Sequence, residues 1–223
     1  AILGEEDAER RLQEYLQALQ WPEIEVVSIK ISTLYSQISA LAREHTVATL
    51  CDRLERLFRT AARMTFTRAD GTQVPKFVYL DMEEYRDKDL TAAAFMRTLD
   101  RPGMDQVRAG IALQSYIPDT FRTLLQIQEW ARRRVTRGGS RITIRLVKGA
   151  YWDSDTVRYR QAGWPPPLFG HKAETDIQYE RLIPVLFEHA DLIRPAFGTH
   201  NLRTLAAIEA HAEARGLAPD ARE

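Results

Sequence analysis

The residue types best suited to chemistry gather in one short stretch, Arg145-Leu146-Val147-Lys148-Gly149-Ala150-Tyr151-Trp152-Asp153. The apolar run Ile142 to Val147 reads as a buried strand, and it ends in a cation, a glycine and two adjacent aromatics. Guanidinium and ammonium groups suit phosphates, a carboxylate, or an electron-rich ring that becomes anionic. Tyr151 and Trp152 offer flat apolar surface to a planar ligand, or packing beneath a loop. Polar groups close other apolar runs as well: Lys30, Asp81 with Glu83, Gln114 with Tyr116, and Thr199-His200-Asn201. Each alone reads as an ordinary strand cap. As a series they point to one shared mouth, because catalytic groups of parallel α/β folds collect at the C-terminal strand ends. His171 and Lys172 add to its positive charge. Asp81, Glu83 and His200 lack the close ligand spacing of a metal motif, so no metal is expected. A Schiff-base lysine, Lys30 or Lys148, is a further chemistry open to such a mouth.

Placing these groups together requires alternating strands and helices. Apolar periodicity predicts helices over about Glu5 to Gln20, Thr46 to Met64, Leu90 to Leu99, Asp119 to Arg137, Thr175 to Glu188 and Leu202 to Arg215. Strands are predicted over Ile24 to Ser32, Lys76 to Glu83, Val107 to Tyr116, Ile142 to Lys148 and Leu192 to Thr199. Thr67 to Pro75, with Asp70-Gly71, reads as a turn-rich loop, and Gly163-Trp164-Pro165-Pro166-Pro167 breaks the segment Asp153 to Leu168. In the first strand Ser28, Lys30 and Ser32 alternate with Val27, Ile29 and Ile31, so one face is polar and one apolar. Strict strand–helix alternation implies parallel strands with right-handed crossovers. An open doubly wound sheet and part of an eight-fold barrel both fit. Lys30-Ile31-Ser32-Thr33-Leu34-Tyr35 lacks the glycine fingerprint of a dinucleotide-binding open sheet. Ser28, Thr143 and Arg145 inside strands suit a barrel interior near its mouth. Five strands cannot close an eight-stranded barrel.

Composition narrows the class. Lys+Arg and Asp+Glu are both 31, which argues against a nucleic-acid binder. Apolar residues at 44% are enough for a large core, yet no run reaches the length of a membrane span. The start, Ala1-Ile2-Leu3-Gly4-Glu5-Glu6, turns charged at once and does not read as a signal peptide. The single cysteine, Cys51, lies on the apolar stripe Val47, Leu50, Leu54, Leu57, Phe58 and reads as a buried structural thiol. A reducing, cytoplasmic setting is expected, with peripheral membrane contact left open.

Several segments closely resemble the proline dehydrogenase domain of the flavoenzymes that oxidise proline, especially the bifunctional proline utilization A proteins. They are Ser28-Ile29-Lys30-Ile31-Ser32, Asp81-Met82-Glu83-Glu84, Leu113-Gln114-Ser115-Tyr116, Arg145 through Asp153, His171-Lys172-Ala173-Glu174-Thr175-Asp176 and Thr199-His200-Asn201. They span nearly the whole chain, in the family's order. The resemblance implies a distorted (β/α)8 TIM-like barrel holding FAD at the strand C-termini, over residues 1–223 as a partial domain. The match begins after the family's first barrel strand and stops before its last two, so an incomplete barrel of about five strands is expected, and the arginine pair the family uses for the proline carboxylate falls outside it.

The same resemblance implies roles. Arg145 is expected near the flavin N5 edge and Gln114 on the flavin ring. Lys148, Gly149, Tyr151 and Trp152 are expected to line the ring and the rest of the cofactor. Thr199, with His171, Lys172, His200 and Asn201, is expected on the cofactor too, the latter four at the pyrophosphate, ribose or adenine. Lys30 is expected to neutralise the proline carboxylate, and Asp81 and Tyr151 to wall the substrate, giving Arg145, Lys30, Asp81 and Tyr151 as the catalytic set. The implied reaction moves a hydride from L-proline to FAD and yields 1-pyrroline-5-carboxylate. A quinone electron acceptor and a fused or partner pyrroline-5-carboxylate dehydrogenase accompany it. A barrel fragment without cofactor and a Schiff-base aldolase are the alternatives.

Overall fold

Strand β1 (Val26–Lys30) alternates exposed and buried residues, with Val27 and Ile29 buried, as its sequence predicts. In the computed structural model, which describes residues 2–217, it pairs in parallel with β4 (Phe77–Asp81), and the register sets Lys30 opposite Asp81. The five longer strands, which include β5 (Ala109–Gln114), β6 (Ile142–Val147) and β7 (Ile193–Gly198), are hydrogen-bonded in the order β1-β4-β5-β6-β7. The chain divides into two compact units, and β5 (Ala109–Gln114) contributes its first half to one and its second half to the other.

The first unit comprises the residues up to Met82 with Arg86–Ile111 and Thr136–Ser140. Helix α3 (Arg43–Arg63) buries Val47, Leu50, Cys51, Leu54, Leu57 and Phe58, the three-and-four spacing of a single apolar stripe. It packs on α4 (Lys88–Leu99), where Phe58 and Phe95 meet edge to face at 6.2 Å. Cys51 is 3% exposed and its Sγ donates to the Ala94 carbonyl. Burial pushes this thiol up from its ordinary value, so it is the inert structural cysteine the sequence predicts. Helix α1 (Glu5–Ala18) adds Ala8 and Leu12 to the same core. On the sheet, β4 pairs with β5 from Val78↔Ala109 to Leu80↔Ile111. Gly110 is required there: a Cβ would stand 2.3 Å from the Tyr79 ring, which lies across it.

Two local features depart from the sequence reading. The turn-rich loop is a hairpin, β2 (Thr65–Thr67) antiparallel to β3 (Gln73–Pro75), closed by Gly71 at φ +83° and by Asp70 accepting the Thr72 N–H. Its strands are three residues each and largely exposed, too short for alternation to register. The first strand stops at Lys30, and a single helical turn, α2 (Ile31–Leu34), follows. The Thr33 hydroxyl and the Tyr35 N–H bond back to the carbonyls of Lys30 and Ile31 and close that turn.

The second unit comprises Glu83–Tyr85, Ala112–Val135 and the chain from Arg141. Strands β6 (Ile142–Val147) and β7 (Ile193–Gly198) run parallel, in register from Ile142↔Ile193 to Val147↔Gly198. Helix α5 (Thr120–Thr136) buries Leu124, Ile127 and Ala131. Helix α7 (Lys172–Glu188) buries Tyr179, Leu182, Ile183 and Leu186, the face its sequence predicts, and α8 (Leu202–Glu213) closes the unit. Helix α6 (Trp152–Gln161) was not legible. Its only buried residues are Asp155 and Thr156, while Val157 is exposed, so the pattern is inverted. Among the described residues no helix is long and apolar enough to cross a membrane.

Candidate functional site

The stretch that follows β6 is built around Gly149. Its φ of +123° lies where a side chain is strained, and a Cβ would stand 1.7 Å from the Tyr116 ring. The chain therefore passes Tyr116 as bare backbone. The two strand-end loops are stitched together beyond the sheet proper. The Ser115 N–H donates to the Val147 carbonyl and the Tyr116 N–H to the Lys148 carbonyl. Helix α7 locks them from the side. Gln178 Nε2 donates to the carbonyls of Ser115 and Ile117, and the Tyr179 hydroxyl to that of Leu146. Burial pushes the Tyr179 phenol well up, so it stays a donor.

A cleft of about 380 Å³ opens on this platform, lined by Tyr116, Lys148, Gly149, Trp152, Gly170, Lys172 and Thr175. A second, of about 240 Å³, has Lys148, Asp176, Glu180, Asn201 and Arg203 among its walls. Lys148 belongs to both. Its ammonium is 2.6 Å from Asp176 and 5.9 Å from the centre of the Tyr179 ring. Asp176 also holds Lys172, at 2.6 Å. Burial alone would raise the Asp176 carboxyl, but the hydrogen bonds from Lys148 and Lys172 outweigh it and hold it below the usual range. Two cations thus share one carboxylate at the rim, leaving the cluster net positive.

Two helix N-termini adjoin these walls. Helix α7 starts at His171, whose N–H donates to Glu174. Helix α8 starts at Asn201, whose side chain accepts the Thr204 N–H, while Thr199 Oγ1 accepts the N–H of Asn201. Trp152 is 38% exposed, and its indole N–H is fixed on the Phe169 carbonyl. Positive charge, helix N-termini and exposed aromatic surface suit a ligand with a planar part and an anionic part.

The residues expected from the sequence are distributed as follows. Lys148, Gly149, Trp152 and Lys172 line the larger cleft, and Lys148 and Asn201 the smaller one. Arg145 lies half-buried within β6, opposite Ala196 of β7. Gln114 ends β5, 2% exposed, and its Nε2 donates to the Glu83 carbonyl. Tyr151 caps α6 and packs on the apolar cluster of Tyr116, Ile117 and Leu168. His171 and His200 are exposed, and Thr199 is half-buried. In the first unit Lys30 and Asp81 end neighbouring strands in register. Among the described residues no group of three or more His, Cys, Asp or Glu could hold a metal ion.

The sequence places Tyr116 among the strand-end groups without a specific contact, and it gives no role to Asp176 or Asp155. Asp176 pins both lysines, a signal present in its i+4 spacing from Lys172. Tyr116 forms the wall beside Gly149. Asp155 is fully buried at the start of α6, and a lone acid in a polar segment carries no periodic signal.

A parallel α/β protein with a cationic, aromatic-lined mouth at its strand ends is the class these features define. The family model for proline dehydrogenase matches residues 1–223, and the chain belongs to that family. The bifunctional protein PutA of Klebsiella aerogenes is 29% identical over 187 residues, 82% of this chain and 13% of that protein. The proline dehydrogenase of Deinococcus radiodurans is 30% identical over 148 residues, 66% of this chain and 40% of that protein. Solved structures of proline utilization A superpose with TM-scores of 0.86 for the Bdellovibrio bacteriovorus protein, itself inactivated by N-propargylglycine, and 0.88 for that of Corynebacterium freiburgense. These are 34% and 33% identical and cover 100% and 97% of this chain, but 24% and 22% of the solved chains. The chain thus spans well under half the length of each of these relatives. The match agrees with the expected β/α-barrel type, of which the described residues hold five parallel strands.

Proposed function

We propose that the chain acts as a proline dehydrogenase domain, oxidising L-proline to 1-pyrroline-5-carboxylate with FAD as acceptor. The observation that carries this is the cleft behind β6, where Lys148, Gly149, Trp152 and Lys172 come together beside Tyr116. The residues fit FAD on chemical grounds. The Tyr116 ring fills the place a Cβ of Gly149 would take, so bare backbone and ring pack together as a flat wall of the cleft against which a planar ring could lie. Lys148, Lys172 and the N-termini of α7 and α8, with His171, Thr199, His200 and Asn201, would take the pyrophosphate, ribose and adenine. Trp152 and Tyr151 would supply flat contact, and Gln114 a side-chain amide for the ring.

FAD, when bound, supplies the acceptor for the hydride. The chain's own groups do the remaining work. Lys30 would neutralise the proline carboxylate, and Asp81 and Tyr151 would wall the substrate. Arg145 would provide a fixed positive charge at the edge that gains negative charge, which lowers the barrier. The amine of proline must be neutral before its neighbouring carbon gives up hydride, so one proton leaves to solvent first. A quinone as final acceptor, a fused or partner pyrroline-5-carboxylate dehydrogenase and peripheral membrane contact are the accompanying proposals. The names of the bifunctional relatives support the second of these. The comparisons lend no weight to the aldolase or cofactor-free readings.

The test is a titration of the chain with FAD followed by L-proline under argon. Uptake of FAD and bleaching of its visible band, with 1-pyrroline-5-carboxylate trapped as product, is the expected result. FAD uptake without bleaching would overturn the assigned reaction.

A further inference from the structure

Asp155 is 0% exposed, an unusual place for a lone carboxyl. Its Oδ2 accepts the backbone N–H of Tyr85 at 3.0 Å and the hydroxyl of Tyr116 at 3.3 Å. Its Oδ1 is equally buried and has no hydrogen-bond partner among the described residues. An apolar side chain would fill this position at lower cost than a buried acid. The acid does something an apolar group could not. It ties three strand-end segments together: the turn holding Tyr85, the loop holding Tyr116, and α6, which continues directly from Gly149-Ala150-Tyr151.

The Tyr116 backbone is fixed independently, its N–H on Lys148 and its carbonyl on Phe169. Its ring is held at the hydroxyl end by Asp155, and that same ring is what a Cβ at Gly149 would strike. Tyr116 also lines the larger cleft. We propose that Asp155 is a positioning residue for this cleft: through Tyr116 it sets the wall beside Gly149 against which a bound FAD rests. The inference rests on the FAD reading of the cleft. The charged groups nearest Asp155, Glu84 and Arg158, are paired with each other at 2.9 Å, and Tyr151 packs on the same cluster. Burial, with Glu84 nearby, pushes the Asp155 carboxyl up, and burial, with Asp155 beside it, pushes the Tyr116 phenol far up, so the tyrosine remains the donor.

The experiment compares Asp155→Leu, Tyr116→Phe and Asp155→Asn in the full chain. An Asn keeps a carbonyl oxygen that accepts from both Tyr85 and Tyr116, so it is the rescuing variant. FAD affinity is read by titration, and the wall itself by the visible circular dichroism of bound FAD. Amide exchange at Gly149 to Tyr151 without FAD is read in parallel. Asp155→Leu and Tyr116→Phe are expected to weaken FAD about ten-fold, as losing one buried hydrogen bond would, and to alter the dichroism band. Both should speed amide exchange, and Asp155→Asn should do neither. Wild-type affinity, band and exchange in Asp155→Leu and Tyr116→Phe would overturn the proposal. So would a fall in thermal midpoint alone, with the folded fraction binding FAD normally. If the wild-type chain takes up no FAD, the reading of the cleft fails by itself, and amide exchange still decides whether Asp155 holds the turn.

Discussion

Replacing Gly149 by Ala tests the platform at its tightest point. The new Cβ would stand 1.7 Å and 1.8 Å from Cδ1 and Cε1 of Tyr116, about half an ordinary van der Waals separation. The φ of +123° adds backbone strain of about 1–2 kcal/mol. Tyr116 is 2% exposed and packed with Ile117 and Leu168, so its ring has little room to retreat. Overpacking of that kind costs about 1–3 kcal/mol, and moving the ring also threatens its bond to Asp155. The expected destabilisation is therefore about 3 kcal/mol, which lowers a urea midpoint by on the order of 1 M. Gly163→Ala is the control. Gly163 has φ +73° but nothing within 4 Å of its would-be Cβ, so only the backbone contribution should appear. Urea denaturation followed by far-ultraviolet circular dichroism reads both, and FAD titration reads whether Gly149→Ala also loses the cofactor. Equal midpoints for the two variants, with unchanged FAD affinity, would show that the Tyr116 ring does not press on position 149.

Other perturbations separate the remaining groups. Asp176 has its carboxyl held low, so the stability it contributes is present above the ordinary carboxylate range and lost as pH falls below about 4; Asp176→Asn should flatten that acid limb in urea midpoints taken against pH. Asp155 is the opposite case. Its carboxyl is raised, so the native state binds the extra proton and stability falls as pH rises from about 4 through the raised value; Asp155→Asn should remove that slope, and an unchanged profile would contradict it. Arg145→Met should slow reduction of bound FAD by L-proline by about 100-fold, the order seen when one fixed electrostatic group is removed, and near-normal stopped-flow rates would sink that role. Lys148→Met should weaken FAD and reduce the salt dependence of its binding, because the cation common to both clefts is gone.

Much of the fold was legible because its strands and larger helices carry their burial in periodic apolar residues. Helix α7 shows this well, with Tyr179, Leu182, Ile183 and Leu186 at helical spacing. The illegible parts run against that code. Helix α6 buries Asp155 and Thr156 and exposes Val157, so hydrophobic periodicity cannot find it. The hairpin of β2 and β3 is too short and too exposed to alternate clearly. At the site, strand-end chemistry marked Lys148, Gly149 and Trp152, since types as well as positions were unusual there. Tyr116 was marked only as a strand-end group, and Asp155 not at all, because their importance lies in what they touch. Tyr116 matters through the bare backbone of Gly149, and Asp155 through the hydroxyl of Tyr116.

The most direct measurement is a crystal structure of the chain soaked with FAD. Density for the cofactor is expected in the cleft lined by Tyr116, Lys148, Gly149, Trp152 and Lys172, with its anionic part towards Lys148 and Asn201. FAD ordered elsewhere on the chain, with that cleft open, would contradict it.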